Sequence, residues 1–173
     1  MQSSLQIKNL QLFRQSELLL SLNEHVKGGE ILTIMGPSGS GKSSLLNWLT
    51  GTLNNSFQAN GEVWLNGENV TDYQPHLRHM GVLYQDALLF SHLTVAGNIA
   101  FAMPKGNKKQ RQEKINHALE QVGLKDMGER HPDSLSGGQQ ARIALLRVLL
   151  SEPKAILLDE PFSKLDTQLR IDT

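Results

Sequence analysis

Apolar positions change their spacing along the chain, and each change predicts a different kind of element. Near the N-terminus Leu5, Ile7 and the run from Leu18 to Leu22 are short apolar-rich stretches, and Gly28-Gly29 interrupts the chain after them. They predict a small sheet ahead of the main core. Ile31, Leu32, Ile34 and Met35 then form the dense apolar run expected of a strand buried in a parallel sheet. Leu45, Leu46 and Leu49 recur at helical spacing directly afterwards. Asn66-Gly67 lies between two extended-looking runs, which predicts a hairpin. Met80 to Tyr84 reads as another strand, ending at Gln85-Asp86. From Ala87 to about Glu129 strand-like runs give way to helix formers, with Ile115, Leu119 and Val122 on one face, so a helical lobe is expected there. The stretch from Leu135 to Leu150 opens with Ser136 and has Gln139 three residues later, the spacing of a capping box before an apolar helix. A further buried strand is expected from Lys154 to Leu158, ending in Asp159 and Glu160.

Between the apolar run and the first helix the residue types turn the question from fold to chemistry. Gly36-Pro37-Ser38-Gly39-Ser40-Gly41-Lys42-Ser43 has the G-x-x-x-x-G-K-S spacing, in which small residues let backbone N–H groups converge on phosphates. Lys42 is placed to reach the outer phosphates of a nucleotide, Ser43 can put its hydroxyl on Mg²⁺, and the following helix points its positive end at the anion. A chance glycine-serine turn is the plain alternative, and the apolar run before it and the helical spacing after it argue against that.

Other polar positions leave two readings open. Gln85, at the end of a strand, can reach Mg²⁺ or a terminal phosphate, or it can belong to a capped turn. Phe13 can stack on a nucleotide base or simply pack. The helix start at Ser136 to Gln139, kept open by Gly137 and Gly138, is either a second anion site or an ordinary capped helix. Asp159 and Glu160 point to opposite sides of their strand, so one can hold a metal shell while the other polarises a water.

Composition narrows the partners. With 173 residues and 39% hydrophobic content, the chain has material for one well-buried core. Seventeen basic residues balance seventeen acidic ones, so no global field draws it to nucleic acid or an anionic membrane. The basic tract from Lys105 to Lys114 lacks interleaved aromatics and reads as a solvated loop and helix start. There is no cysteine for a disulfide framework or a thiolate metal site. The N-terminus lacks the pattern of a signal peptide, and no run approaches the roughly eighteen apolar residues of a membrane span, so a soluble chain is expected. His25, His76, His79, His92, His117 and His131 are expected to be surface or packing residues rather than metal ligands.

Taken in order, these stretches resemble the ATP-binding subunit of ABC transporters, from about Leu5 to Asp166. Gly36 to Ser43, continued by Ser44, matches the Walker A motif, Gln85 the Q-loop, and Leu135-Ser136-Gly137-Gly138-Gln139 the signature motif. Ile156 to Glu160 matches Walker B with its catalytic glutamate, and Ser163 to Asp166 the D-loop. The resemblance implies an α/β P-loop NTPase fold with a mostly parallel core sheet, a small N-terminal antiparallel β part and an inserted helical subdomain. It implies one domain over residues 1–173: a nucleotide-binding core with the antiparallel part over 1–85, the helical subdomain over 86–134, and the signature helix, Walker B and D-loop over 135–173.

The resemblance also implies a mechanism. ATP and Mg²⁺ bind at the Walker A loop of one subunit, and the signature helix of a second subunit, most simply a second copy, closes over the terminal phosphate. Ser43 and Gln85 would ligate Mg²⁺, Asp159 would hold it through water, and Glu160 would be the general base. Tyr84 to Phe101 is similar to importer-type subunits, including those of polyamine and thiamine importers, where this surface receives a helix from a membrane-spanning partner. The implied partners are permease subunits and a substrate-binding protein, with no nucleic acid, and the implied location is the cytoplasmic face of the inner membrane. A non-transport ABC protein acting on nucleic acid or ribosomes is the rival class, disfavoured by the neutral charge and short helical lobe. Lys164 stands where the D-loop usually has a small residue, and Ala141 and Leu146 depart from the commonest signature-helix pattern. The chain ends at Thr173, before the segment in which the family carries its switch histidine and final strands. The expectation is therefore a truncated subunit that binds ATP with little turnover.

Overall fold

Strand alternation shapes the N-terminal part of the chain. A computed structural model describes residues 3–160, which fall into two compact units, one up to Met80 and one from Gly81. In the first, β1 (Ser4–Arg14) and β2 (Glu17–Lys27) form a long antiparallel hairpin around Gln15 and Ser16, both at positive φ. A register shift between Ile7 and Leu10, with Asn9 at φ 52°, inserts a bulge that keeps both apolar side chains on the buried face. β3 (Phe57–Leu65) pairs on the other side of β1 and buries Val63 and Leu65. β4 (Glu68–Asn69) completes the order β2-β1-β3-β4. The hairpin expected at Asn66-Gly67 is present, with φ of 54° and 84° as a type I′ turn requires. Helix α1 (Lys42–Thr50) follows the phosphate loop and buries Leu45, Trp48 and Leu49.

The expected buried strand over Ile31, Leu32, Ile34 and Met35 does not form. These residues have no strand assignment, Ile31 is 91% and Met35 87% exposed, Leu32 is exposed and Ile34 only half-buried. After β2 the chain turns at Gly28-Gly29, where the Gly28 amide donates to Ser3 O and that of Glu30 to Lys27 O. Among the described residues the run joins neither the four-stranded sheet, of order β2-β1-β3-β4, nor the β-strand pair of the second unit.

In the second unit β5 (Met80–Leu83) and β6 (Ala155–Leu158) form a parallel pair. The expected mostly parallel core sheet is thus represented, among the described residues, by two strands, whereas the larger sheet is antiparallel. β6 is buried on one face only: Leu157 is buried while Ile156 and Leu158 are exposed, which corrects the expectation of a fully buried strand. Helices α2 (Val95–Ala102) and α3 (Lys108–Gln121) occupy the stretch where helix formers dominate, and α4 (Gly137–Leu149) follows. Thr94 caps α2 by accepting from the Gly97 amide, and Asn107 caps α3 by accepting from those of Lys109 and Gln110. Ile99, Ile115, Leu119, Leu124 and Ile143 meet in one apolar cluster, each contributing about 1.5–3 kcal/mol by leaving water.

Candidate functional site

The phosphate loop and the other predicted positions divide between the two units. In the first, Ser38 to Ser40 make a tight turn in which the Ser40 amide donates to Pro37 O at 3.3 Å. Gly41 then enters α1 at φ 90°, a left-handed conformation that glycine adopts without strain, with Leu12 and Leu19 of the sheet directly behind it. The Lys42 ammonium donates to Gly36 O and Pro37 O, each at 2.8 Å, so the loop's own carbonyls hold its only cation. No side chain among the described residues caps the start of α1. Its first-turn amides therefore point into an exposed loop with the helix dipole behind them, the arrangement that suits an oxyanion. Ser43 is exposed and Ser44 half-buried. Phe13 is half-buried near the end of β1, in register with Leu18 on β2 and Gln58 on β3.

In the second unit the β5–β6 pair brings Gln85, Asp159 and Glu160 to one end of two strands. The Asp159 amide donates to Leu83 O at 2.9 Å, which sets the two strand ends side by side. Gln85 and Glu160 are exposed and Asp159 is half-buried. The carboxyl ends of parallel strands are where open α/β sheets place ligands. A serine hydroxyl, an amide oxygen and carboxylates are hard oxygen donors that fit Mg²⁺ in kind. Among the described residues there is no group of three or more His, Cys, Asp or Glu that could hold a metal ion.

The signature stretch is built differently. Ser136 Oγ accepts from the Gln139 amide at 3.3 Å, and Gln139 Oε1 accepts from the Ser136 amide at 2.9 Å, a complete capping box. Among the described residues nothing lies within 4 Å of where a side chain on Gly137 would project, which leaves this helix start sterically open to them although its donors are partly satisfied. Asp166 lies outside the described residues.

Two residues not singled out from the sequence shape the segment after Gln85. Asn98, fully buried in α2, accepts from the Phe90 amide and donates to Phe90 O, Leu93 O and Thr94 O. Arg147 of α4 donates to Leu88 O at 2.8 Å and Ala87 O at 3.0 Å, and its guanidinium lies over the Phe90 ring. Burial holds Arg147 below the usual arginine range, yet the group stays charged. Both clamps flank an open groove of about 290 Å³ lined by Leu88, Phe90, Phe101 and Arg147, in which Leu88 is 59% and Phe101 70% exposed. An asparagine in an apolar helix and an arginine inside Leu-Leu-Arg-Val-Leu-Leu are the signals that could have drawn attention to them.

The family model for ABC transporters matches residues 19–163. The chain is 48% identical to the ABC transporter ATP-binding protein YnjD of Escherichia coli (strain K12) over 95% of its own length and 76% of that protein's. It is 47% identical to the thiamine import ATP-binding protein ThiQ of Haemophilus influenzae (strain 86-028NP), over 90% of this chain and 72% of the other. With the sulfate/thiosulfate import ATP-binding protein CysA of Mesostigma viride the identity is 41%, over 91% of this chain and 45% of the relative.

Proposed function

The chain belongs to the ABC transporter family as an ATP-binding subunit, and on that footing we propose that it powers a membrane importer by binding and hydrolysing ATP together with a second ATPase subunit. The observation that carries this reading is the uncapped start of α1 behind a loop whose carbonyls hold Lys42. In the proposed site Gly36, Pro37, Ser38, Gly39, Ser40, Gly41, Lys42, Ser43 and Ser44 surround the phosphates, and Phe13 offers its ring to the base. Ser43 and Gln85 would hold Mg²⁺, with Asp159 reaching it through water, and the ion when bound would supply charge neutralisation on the phosphoryl group. Glu160 takes the proton of the attacking water, a contribution of about 10²–10⁴-fold for a general base. Lys42 and Gln85 complete the catalytic set.

Ser136, Gly137, Gly138 and Gln139 present the start of α4 to the terminal phosphate bound by the other subunit, most simply a second copy; Asp166 is the D-loop residue of this reading. The apolar groove beside Phe90 and Phe101 suits a helix of a permease subunit. Relatives named for thiamine and for sulfate/thiosulfate import support an importer with a substrate-binding protein. No helix of the described residues is long and apolar enough to cross a membrane, consistent with a peripheral subunit on the cytoplasmic face. Nucleic acid is not a proposed partner, given the balanced charge. One ABC ATPase domain spans residues 1–173 in this reading, with the helical subdomain over 86–134.

The test is a mild-detergent pull-down of the tagged chain from its native membranes, followed by mass spectrometry. The expected companion is a stoichiometric multi-span membrane protein. Recovery from the soluble fraction with nucleic acid or ribosomes would overturn the transport reading in favour of a non-transport ABC protein.

A further inference from the structure

Arg78 stands in the polar tract Gln-Pro-His-Leu-Arg-His, where a solvated side chain is the ordinary expectation. It is instead 6% exposed, the most deeply buried charged residue among those described. Its guanidinium donates to four backbone carbonyls. Nη1 reaches Trp48 O at 2.8 Å and Leu49 O at 2.9 Å, Nε reaches Tyr73 O at 3.0 Å, and Nη2 reaches Thr71 O.

Trp48 and Leu49 belong to the last turn of α1, whose final carbonyls have no partner within the helix. The chain supplies the rest of the closure: the Gly51 amide donates to Trp48 O at 3.1 Å, that of Thr52 to Asn47 O at 2.8 Å, and Thr50 Oγ1 to Leu46 O at 3.0 Å. Gly51 ends the helix at φ 77°, and a Cβ there would stand 2.8 Å from Arg78 Nε and 2.9 Å from Cζ. The glycine therefore permits both the left-handed cap and the approach of the guanidinium. A cation at a helix C-terminus complements the dipole there. Only the planar fork of arginine, with five N–H groups, can serve this many acceptors at once.

The other end of this short helix is the phosphate loop. We propose that Arg78 is a positioning residue for nucleotide binding, fixing the C-terminus of α1 to the 71–73 segment so that the amides of its first turn stay aimed at the phosphates. The inference rests on the ATP reading above. With nine residues in α1, a tilt or fraying at its last turn has little helix to absorb it before Lys42. Removing the guanidinium also takes a donor from four carbonyls, two of which, Trp48 O and Leu49 O, it meets in buried bonds, and leaves Trp48 O with the Gly51 amide alone.

The test uses the full chain and MgATP, titrated calorimetrically against wild type, R78Q, R78K and G51A, with thermal melts without nucleotide and hydrogen exchange of the α1 amides. R78Q is expected to lose at least about tenfold in ATP affinity at a temperature where the melt shows it folded. R78K should lose less, because an ammonium keeps the charge but reaches fewer carbonyls. G51A, which keeps Arg78 but crowds it, should weaken ATP binding and speed exchange in the last turn of α1. If R78Q fails to fold, R78K and G51A decide: wild-type affinity in both overturns the inference. Affinity unchanged in a folded R78Q, with only the melting temperature lowered, assigns Arg78 a purely structural role and overturns it too. A wild-type chain that binds no ATP overturns the ATP reading and this inference with it, whereas binding by wild type and variants alike overturns this inference alone.

Discussion

Two helices of this protein begin on glycine-rich, serine-bearing stretches that the sequence offers as anion sites, and they are finished in opposite ways. Helix α1 starts at Gly41 with no side-chain cap and with Lys42 held by the carbonyls of its own loop. Helix α4 starts at Ser136 with a complete capping box, Ser136 and Gln139 each satisfying the other's amide. The first has no side-chain cap among the described residues, which suits the phosphate of the proposed site. The second is satisfied by its own residues and offers a further anion only its remaining amides and the open flank of Gly137. The difference fits a protein in which one start binds nucleotide alone and the other engages it only when a second subunit delivers the phosphate.

The largest expected effect breaks the open start. Lys42→Ala removes the only cation of the loop, and ATP binding measured by calorimetry should fall by at least about 100-fold, since a charge-assisted contact to phosphate has no substitute there. Normal affinity would mean that α1 binds nothing through this loop. Next, Glu160→Gln in the assembled transporter should retain ATP while turnover drops about 10²–10⁴-fold. Turnover near wild type would remove Glu160 as the base.

The closed start is tested by smaller changes. Gly137→Ala places a methyl group in open space, so the single chain should fold and bind ATP as before. In the assembled transporter the same variant should slow turnover by about tenfold or more, as a loss of closure onto the phosphate predicts. Equal turnover would argue that α4 does not approach the nucleotide. Smallest, Ser136→Ala should cost about 1 kcal/mol of stability in a denaturant titration, the usual loss for an N-cap, with single-chain ATP affinity unchanged. A parallel drop in that affinity would mean that α4 already contributes to binding without a partner.

Features written in short-range residue patterns were legible. The helix after the phosphate loop, the Ser136–Gln139 capping box, the Asn66-Gly67 hairpin and the helical face of Ile115 and Leu119 each depend on neighbours a few residues apart, and each has the expected local form. Features that depend on distant partners were not. The apolar run from Ile31 to Met35 carries the composition of a buried strand, but composition does not say which strand lies beside it, and among the described residues none does. In β1 the bulge at Asn9 breaks the alternation, which is why an eleven-residue strand looked like a short apolar stretch. Arg78 and Arg147 were missed for a related reason: their acceptors are backbone carbonyls, which every residue carries and no sequence pattern marks. Asp166, matched to the D-loop by resemblance, lies outside the described residues, so the sequence alone speaks for it.

The most direct measurement follows the backbone amides of the isotope-labelled chain by NMR during a titration with MgATP. The account predicts large shifts for the amides from Gly39 to Leu45, where the helix start is open. It predicts none beyond a few residues' background for Ser136 to Gln140, whose box is closed and whose phosphate arrives on another subunit. Shifts at the α4 start in the isolated chain, or an α1 start that stays unmoved at saturating MgATP, would contradict it.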